Sequence, residues 1–437
     1  MDLPAQSPLV SRRHLLRAGS AVAGTLIVGA RSHRAVAQPA IGRLRGGEIL
    51  PIPDFTKLDR VPYRVGIRPH RRTGVRLDVD PVSMRTVRGS PKFLVHNYGH
   101  GGAGITLSFG CAEAVRLLIG DLMEREIRRP ARNVRVAVIG AGVIGLTTAA
   151  ELKRWRPELD VRVMAKSIAA NGQVNLQATT SWIAGGQFEP SGIWHEYKAT
   201  ATTPDRLPII HDYVRRSANR IKALKRLGVQ RDYGIVDRNN YTLQDYSSRQ
   251  MLLMEDGFER GTPPDVIPAP TLGTLPFAPL CNVPGREYLT WLINPTILLP
   301  KLVADLRAAR VRFERRDIAN EDELRAVDAD IVVNCTGLGA KDMLLDTQMV
   351  PIRGQLVILQ NPRQLKYMFS GGCGNEVAYL FARQTDIVVG GTYEVGVDTP
   401  EIDRRQCDEF LDRVRRIFNG EITACSLSNA GGTCTRV

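Results

Sequence analysis

The chain has 437 residues, of which 43% are hydrophobic and 24% are charged, and its formal net charge is +14. This length and balance predict a globular protein of two domains rather than a disordered or fibrous chain. The basic residues are not interleaved with aromatic residues, which argues against a nucleic-acid-binding surface. After the N-terminal leader no segment resembles the ~20 consecutive apolar residues of a membrane helix, so we expect no stable membrane span.

The first 37 residues have the pattern of a twin-arginine signal peptide. Arg12 and Arg13 precede an apolar stretch over 18–30, and small residues at 35–37 supply a peptidase site. This pattern predicts export of the folded protein by the twin-arginine machinery and a periplasmic or secreted location. A short N-terminal helix is the alternative.

Periodicity and turn residues predict the elements that follow. In chain order they are an extended lead-in over 38–62, strand character over 65–78, a strand over 92–97, a helix over 103–126, strands over 134–139 and 160–164 with a helix over 143–155 between them, a helix over 296–309, strands over 311–314, 329–334, 350–358, 377–382 and 386–391, and a helix over 401–418. Residues 190–285 are predicted to be irregular.

A strand-to-helix turn has the spacing of a dinucleotide-binding fingerprint. Gly140 permits the tight turn, Gly142 lets a pyrophosphate approach the backbone, and Gly145 lets the helix pack closely on the strand. Val143 and Ile144 begin the helix, whose positive dipole end faces the phosphates. The alternative is a tight turn that binds no ligand.

The next strand departs from this fingerprint. An acidic residue normally follows it and binds the ribose hydroxyls, but here the residue is Lys166. A lysine would suit a 2′-phosphate, yet the other motifs are typical of flavoproteins. We therefore expect a flavin cofactor whose ribose contacts come from elsewhere.

Seven motifs together are more specific than any one of them. They are V-A-V-I-G-A-G-V-I-G-L at 136–146, T-T-S-W-I-A-G-G-Q-F-E-P at 179–190, V-V-N-C-T-G at 332–337, R-G-Q at 353–355, A-Y-L-F-A-R at 378–383, G-I-R-P-H-R at 66–71 and H-N-Y-G-H-G-G-A-G-I-T at 96–106. With them the chain resembles the D-amino-acid oxidase family, which includes D-aspartate oxidase. The match spans most of the chain and is weak over 191–280.

The order of these motifs differs from that of the family. The motifs at 66–71 and 96–106 close the chain in the family but precede the glycine fingerprint here. The resemblance therefore implies a circularly permuted order, because nearby termini tolerate such a rearrangement. It predicts that residues 92–126 pack directly beside the strand over 134–139. A rearranged product without function is the alternative.

The resemblance implies a fold that combines α/β with antiparallel β structure. A Rossmann-like FAD-binding domain of the glutathione-reductase type is expected over 91–190 and 286–345. A second, substrate-binding α+β domain is expected over 38–90, 191–285 and 346–437.

The resemblance assigns three residues to the substrate. Arg68 is the expected anchor of an α-carboxylate, because a guanidinium fork binds carboxylates bidentately. Tyr379 matches a tyrosine whose hydroxyl meets the same carboxylate, and the carbonyl of Gly102 is expected to accept a hydrogen bond from the amine. The alternatives are a surface salt bridge for Arg68 and a core aromatic residue for Tyr379.

The resemblance also assigns the contacts with FAD. The start of the helix over 103–126 is expected to face the pyrimidine end of the flavin, and other residues to contact the pyrophosphate and the ring. The first group is Gly101, Gly104, Ile105 and Thr106, and the second is Thr179, Thr180, Ala184, Gly185, Thr336 and Gly337. His96 and His100 are expected to be structural, and no metal site is predicted.

The implied reaction is oxidative deamination of a D-amino acid to an imino acid, which water converts to a keto acid and ammonia. The hydride passes from the α-carbon to flavin N5, and positioning does most of the catalysis without a side-chain base. Oxygen or another acceptor takes the electrons. The alternatives are an amine or glycine-type oxidase, a dehydrogenase with a non-oxygen acceptor, and a flavin-binding relative without catalysis.

Two departures from the family bear on the substrate. Asn375 replaces a lid tyrosine and Ala103 replaces a bulky aromatic residue, so both would open the pocket. His70, Arg71 and Arg72 would add positive charge near Arg68, which would favour acidic D-amino acids. Because the side chains of a strand alternate between its faces, at least one of the three is expected to point away, and the identity of the substrate stays open.

The seven cysteines have no metal-ligand spacing. Cys111 and Cys335 lie in apolar surroundings and are predicted to be buried. Cys425 and Cys434 could form a disulfide in an exported protein.

Overall fold

The computed structural model describes residues 44–81, 84–86, 89–200, 204–243, 261–373 and 376–421. Three predictions concern residues outside these ranges: the signal peptide, the role of Asn375, and the pairing of Cys425 with Cys434.

The described strands are β1 (Leu58–Arg71), β2 (Arg76–Val79), β3 (Met84–Arg85), β4 (Pro91–Tyr98), β5 (Arg135–Ile139), β6 (Asp160–Ala165), β7 (Ile235–Leu243), β8 (Thr271–Thr274), β9 (Pro284–Ile293), β10 (Arg312–Arg315), β11 (Ile331–Asn334), β12 (Met349–Gln360), β13 (Tyr367–Cys373), β14 (Glu376–Ala382), β15 (Asp386–Gly390) and β16 (Glu394–Val395). The described α-helices are α1 (Gly104–Leu122), α2 (Val143–Trp155), α3 (Thr180–Ile183), α4 (Leu207–Arg226), α5 (Pro295–Ala308), α6 (Glu321–Arg325), α7 (Ala340–Met343) and α8 (Arg404–Phe418).

One of the two sheets is mainly parallel. Its strand order is β10-β6-β5-β11-β4-β2, and β3 also pairs with β4. The strands from β10 to β4 run parallel, while β2 is antiparallel to β4. Residues 136–139 of β5 are buried, as expected for a parallel strand covered on both faces.

The segment formed by β4 and α1 belongs to this parallel layer. Asn97 at the end of β4 donates a hydrogen bond to Thr148 of α2 (3.2 Å), and Thr147 of α2 donates to the carbonyl of Ser108 in α1 (3.2 Å). The prediction that this segment lies directly beside β5 is wrong by one strand. β11 lies between β4 and β5 and pairs with both of them.

Helix α1 is the central helix of this layer. Its Gly110 donates a backbone hydrogen bond to Ser217 of α4 (2.8 Å), and a Cβ at Gly110 would stand 1.9 Å from the carbonyl oxygen of Tyr213. Residues 101–127, which include α1, are long and apolar enough to cross a membrane, contrary to the sequence expectation. Most of this segment is buried in the protein, and a core helix meets the same criteria of length and composition.

The other sheet is mainly antiparallel and has the order β1-β12-β15-β14-β13-β7-β9-β8, with β16 paired to β12. Only β13 and β7 are parallel neighbours among its described strands. Helix α8 packs on it through residues that include Phe410, Val414 and Phe418. The side chains of Phe277 and Phe369 meet Phe418 there, with ring centroids 5.1 and 4.8 Å apart.

The prediction that residues 190–285 are irregular is wrong. This region contains α4, β7, β8 and the start of β9. Helix α4 buries one face, formed by Leu207, Ile210, Val214, Ser217, Ala218, Ile221 and Leu224, at helical spacing. β13 was also not predicted, and β1 begins at Leu58 inside the expected lead-in.

The expected domain division differs from the structure at three places. β2, expected in the substrate-binding domain, pairs with β4 in the parallel sheet. Helix α4 from the same expected domain packs against α1. Most of β9 was expected in the FAD-binding domain, but β9 pairs with β7 and β8 in the antiparallel sheet.

Candidate active site

A cavity of about 750 Å³ lies where the parallel strands end and faces one side of the antiparallel sheet. The residues that follow β4, β5, β6, β10 and β11 line one wall, and residues of β1, β12, β13 and β14 line the opposite wall. Ligands of open α/β folds bind at the carboxyl ends of the parallel strands, so this cavity is the candidate active site.

Most residues predicted from the sequence to contact substrate or cofactor line this cavity. They are Arg68, Gly101, Gly102, Gly104, Ile105, Gly140, Gly142, Val143, Ile144, Thr179, Thr180, Ala184, Gly185, Thr336, Gly337 and Tyr379. Gly145 and Thr106 do not line it. Gly145 packs against the strand, since a Cβ there would stand 2.0 Å from the carbonyl oxygen of Gly140. The Thr106 hydroxyl is turned inward and donates to the carbonyl of Glu189 (2.8 Å).

The glycine turn after β5 has the geometry of a phosphate-binding loop. Gly140 has φ of 119°, a conformation that favours glycine, and a Cβ there would stand 2.4 Å from the carbonyl oxygen of Cys335. Gly142 faces the cavity at the N-terminus of α2. The backbone N–H of Val143 donates to the hydroxyl of Ser181 (3.0 Å), so Ser181 is a further polar residue of this wall.

The cavity fits an FAD. The first turns of α1 and α2 both line it, and helix N-termini stabilise negative charge on phosphates and on a flavin ring. Gly142 lines the cavity and has no side chain, so a pyrophosphate can approach the backbone there.

The end of the cavity beside β6 and β10 carries mixed charge. Lys166 follows β6, while Arg316 and Asp317 follow β10, and all three line the cavity. The two strands pair in parallel up to Ala165 and Arg315, so the residues that follow them are neighbours. Asp317 therefore supplies a carboxylate near the position that Lys166 occupies in place of the usual acidic residue.

Arg68 projects from β1 across the neighbouring strand. Its Nη1 donates to the carbonyl oxygens of Thr392 (3.2 Å) and Arg353 (3.4 Å). No carboxylate of the described residues forms an ion pair with Arg68, so the alternative of a salt bridge has no support in this part of the chain. The guanidinium lines the cavity and is available to an anionic ligand.

Tyr379 lies on β14, next to the side chain of Arg68 from β1. A Cβ at Gly390 would stand 2.3 Å from the Tyr379 hydroxyl oxygen, so glycine leaves room for the ring. Burial raises the pKa of Tyr379, and the adjacent Arg68 guanidinium opposes that shift. The ring also stacks on Phe381, with centroids 4.6 Å apart, so Tyr379 is packed while its hydroxyl meets Arg68.

Two neighbours of Arg68 complete this end of the cavity. A Cβ at Gly102 would lie 3.6 Å from Arg68 Cδ and 3.3 Å from the carbonyl oxygen of Ser191, so Gly102 lies close to the guanidinium. Tyr393, which the sequence reasoning missed, places its ring centroid 5.5 Å from Arg68 Cζ. Tyr393 lies in the loop after β15, where no local motif marked it.

The expected excess of positive charge beside Arg68 is not found. His70 Nε2 pairs with Glu196 (2.9 Å) and Arg71 Nε pairs with Asp346 (2.9 Å). Arg72 is exposed and does not line the cavity. Pairing of His70 and Arg71 with these carboxylates removes the argument for acidic substrates. Ala103 is buried in the core outside the cavity lining, so the prediction that it opens the pocket is also wrong.

Glu189 is the main site residue that was not predicted from the sequence, although it belongs to the motif T-T-S-W-I-A-G-G-Q-F-E-P at 179–190. Glu189 lines the cavity, and its carboxylate accepts a hydrogen bond from Gln187 Nε2 (2.9 Å). Burial raises the pKa of Glu189 to about 7. No Lys, Arg or His among the described residues forms an ion pair with it.

The histidines near the glycine motif are buried. His96 Nε2 is 3.3 Å from Asp80 Oδ2 and its Nδ1 is 3.3 Å from Asn334 Nδ2. Burial lowers the pKa of His100 to about 3, so this imidazole is neutral. Within the described ranges no group of three or more His, Cys, Asp or Glu residues could hold a metal ion, and Cys111 and Cys335 are buried.

Fold and cavity together define a flavin-dependent oxidoreductase. Residues 135–435, more than half of the chain, match the family model described as DAO, FAD dependent oxidoreductase. The chain belongs to this family, and FAD is its cofactor.

The chain is similar to curated proteins over much of their length. It is 24% identical to human D-aspartate oxidase over 304 residues, which are 69% of this chain and 80% of that protein. It is 29% identical to the D-amino-acid oxidase of Streptomyces coelicolor over 268 residues, 60% of this chain and 71% of that protein. Among solved structures, iminodiacetate oxidase from Chelativorans sp. BNC1 is 19% identical, with a TM-score of 0.44 over 64% of this chain and 77% of that one.

Proposed function

We propose that this protein catalyses the FAD-dependent oxidative deamination of a D-amino acid to an imino acid, which water hydrolyses to a keto acid and ammonia. The observation that carries the proposal is the Arg68 guanidinium, which lines the cavity beside the Tyr379 hydroxyl and has no carboxylate partner in the described chain. The two similar proteins named above, a D-aspartate oxidase and a D-amino-acid oxidase, support the choice of a D-amino acid.

The residues of the chain hold the substrate in this proposal. Arg68 and Tyr379 bind the α-carboxylate, and the carbonyl of Gly102, which lies beside Arg68, accepts a hydrogen bond from the amine. FAD, when bound, would supply the acceptor for the hydride of the α-carbon. Positioning of the α-carbon is the main catalytic contribution of the protein, and no side-chain base is needed. His100 is neutral in its buried position and serves to pack the glycine turn.

Anaerobic titration of the FAD-loaded protein tests this proposal. We expect D-amino acids to bleach the flavin absorbance and their L-enantiomers to leave it unchanged. Bleaching by amines that lack an α-carboxylate, or by glycine alone, would favour an amine or glycine-type oxidase. A stable flavin band that no amino acid reduces would overturn catalysis. Peroxide release compared with dye reduction then distinguishes oxygen from another acceptor.

We also propose that the chain is a circularly permuted form of a glutathione-reductase-type flavoprotein fold. The family match begins at residue 135, whereas β4 and the glycine motif at 96–106 precede it and join the same parallel sheet as β5. A reordered chain that runs from residue 129 to 437 and continues through a flexible linker into residues 38–128 tests this. It should bind FAD as the natural order does, and failure to fold would contradict the permutation.

We further propose that the protein acquires FAD in the cytoplasm and is exported folded to the periplasm or beyond. The pattern around Arg12 and Arg13 supports this proposal. Replacing both by Lys should retain the flavoprotein in the cytoplasm, as measured by flavin fluorescence in separated cell fractions. Export that persists in the double variant would overturn the proposal.

A further inference from the structure

A row of polar side chains crosses the antiparallel sheet from Tyr379 toward Glu189. Ser370 faces Tyr379 across β13 and β14 and donates a hydrogen bond to Asn240 Oδ1 (3.2 Å). Asn240 Nδ2 donates to the hydroxyl of Tyr288 (2.7 Å). The row therefore passes through β14, β13, β7 and β9 in turn.

The row ends at two residues of the segment that follows α3. Gln187 Nε2 donates both to the Tyr288 hydroxyl (3.0 Å) and to Glu189 Oε2 (2.9 Å). The backbone of Glu189 is fixed to α1, because its N–H and carbonyl both bond to the Thr106 hydroxyl (3.0 and 2.8 Å). Gln187 thus holds the carboxylate and Thr106 holds the backbone of Glu189, a residue that lines the cavity.

The spacing places Glu189 away from the carboxylate anchor. β14 and β9 are three strand spacings apart, about 14 Å, and the side chains that project from them narrow the gap. Arg68 and Tyr379 therefore stand at the β14 side of this row, and Glu189, which is linked to Tyr288 of β9 through Gln187, stands at the β9 side. Gln187 and Ser370, which also line the cavity, make the wall between them polar.

The charges in this part of the cavity are complementary to an amino acid whose side chain carries an additional positive charge. The guanidinium of Arg68 lacks an anionic partner and the carboxylate of Glu189 lacks a cationic partner among the described residues, whereas the neighbouring His70 and Arg71 are paired. Both residues are partly buried, and removing an ionisable group from water without a counter-charge is costly unless a ligand supplies one.

We propose that Glu189 binds the terminal cation of the substrate side chain, so that the preferred substrates are D-amino acids with a basic side chain, such as lysine- and arginine-like compounds. This inference rests on the proposed function, in which Arg68 holds the α-carboxylate. The cationic group pairs with the Glu189 carboxylate, which Gln187 keeps in place.

A pair of acids that differ only in a terminal amine tests this proposal without turnover. Hexanoate and 6-aminohexanoate are titrated into the FAD-loaded protein at pH 8, and the change in flavin absorbance gives each Kd. We expect 6-aminohexanoate to bind at least about tenfold more tightly, the effect of one charge-assisted hydrogen bond in a buried site. The kcat/KM ratio for D-lysine over D-norleucine should show the same preference.

Three variants separate this role from a general effect of charge. Glu189→Gln keeps the size of the side chain and should abolish the preference, whereas Glu189→Asp should retain part of it. Glu158→Gln removes a carboxylate from the turn between α2 and β6 and should leave the preference unchanged. These comparisons depend on ratios within one variant, so they tolerate a modest loss of stability.

The outcomes separate this inference from the proposed function. A preference for hexanoate, or one that Glu189→Gln leaves intact, would overturn the role of Glu189 even if D-norleucine reduces the flavin. A preference for 6-aminohexanoate that Glu189→Gln abolishes, with no amino acid reducing the flavin, would uphold Glu189 and overturn the proposed reaction. If neither acid perturbs the flavin, both the Arg68 anchor and the Glu189 site are wrong.

Discussion

Gly354 lies directly under the guanidinium of Arg68, and a Cβ at position 354 would stand 2.2 Å from Nη1. β1 and β12 pair so that Gly66, two residues before Arg68, faces Gly354. The arginine side chain therefore crosses its partner strand over the one residue that has no side chain. The R-G-Q motif at 353–355 thus has a physical role, which is to make room for the proposed carboxylate anchor.

Gly354→Ala should displace Arg68 without affecting the FAD-binding turn. Because the guanidinium would no longer align with a carboxylate, we expect the affinity for hexanoate to fall about tenfold or more while the flavin content stays the same. Flavin difference spectra measure both quantities. Gly120→Ala in α1 is the control, since a Cβ there would meet Trp155 at an ordinary distance of 3.6 Å. Unchanged hexanoate binding in Gly354→Ala would show that Arg68 is not the anchor.

Arg68→Ala should retain FAD and lose most activity toward α-amino acids. Removing one partner of a desolvated charge pair costs about 2–5 kcal/mol, which raises KM by about 30-fold or more. Arg68→Lys should recover only part of the loss, since an ammonium cannot bind a carboxylate bidentately. Steady-state kinetics with D-norleucine provide the measurement, and the exposed Arg72→Ala is the control. Kinetics equal to those of the unmodified protein would remove Arg68 from the site.

Local signals were sufficient to predict the parallel layer. The glycine spacing at 140–145 and the apolar strand before it predicted β5 and α2, and the structure has α2 over the predicted residues. Such turns depend on neighbouring residues only, because a tight turn and close helix packing each require glycine. The apolar spacing of α4 was also present in the sequence.

Long-range partners could not be predicted in the same way. Arg71 was expected to add charge to the site, but it pairs with Asp346, which lies 275 residues away along the chain. Glu189 was visible in a family motif, yet its pKa depends on burial between α1 and the antiparallel sheet. Pairing and burial of this kind follow from the tertiary fold, and no local pattern in the sequence encodes them.

Asp317→Asn should weaken FAD binding. Lys166 cannot accept hydrogen bonds from ribose hydroxyls, whereas Asp317 lines the same end of the cavity and can do so. Because this residue is exposed, we expect only about a threefold to tenfold increase in Kd for FAD. Recovery of flavin fluorescence on dilution measures the release. Asp342→Asn in α7, outside the cavity lining, is the control, and equal release from both variants would exclude Asp317 from the cofactor site.

Glu189→Gln should stabilise the protein at neutral and alkaline pH but not at acid pH. Burial raises the pKa of Glu189 to about 7 in the folded protein, from an ordinary value of 4.5. Between these two values the folded chain retains a proton that the unfolded chain has released, so raising the pH through this window lowers the free energy of unfolding. The destabilisation is complete above pH 7 and absent below pH 4.5.

The groups that face Glu189 do not reverse this sign. Tyr288 has a raised pKa, because it is buried and because Glu189 is close, so it stays neutral over the window. The Tm of Glu189→Gln minus that of the unmodified, FAD-loaded protein should therefore rise from pH 5 to a plateau above pH 7. A difference that stays constant with pH would mean that Glu189 titrates normally, in contact with solvent.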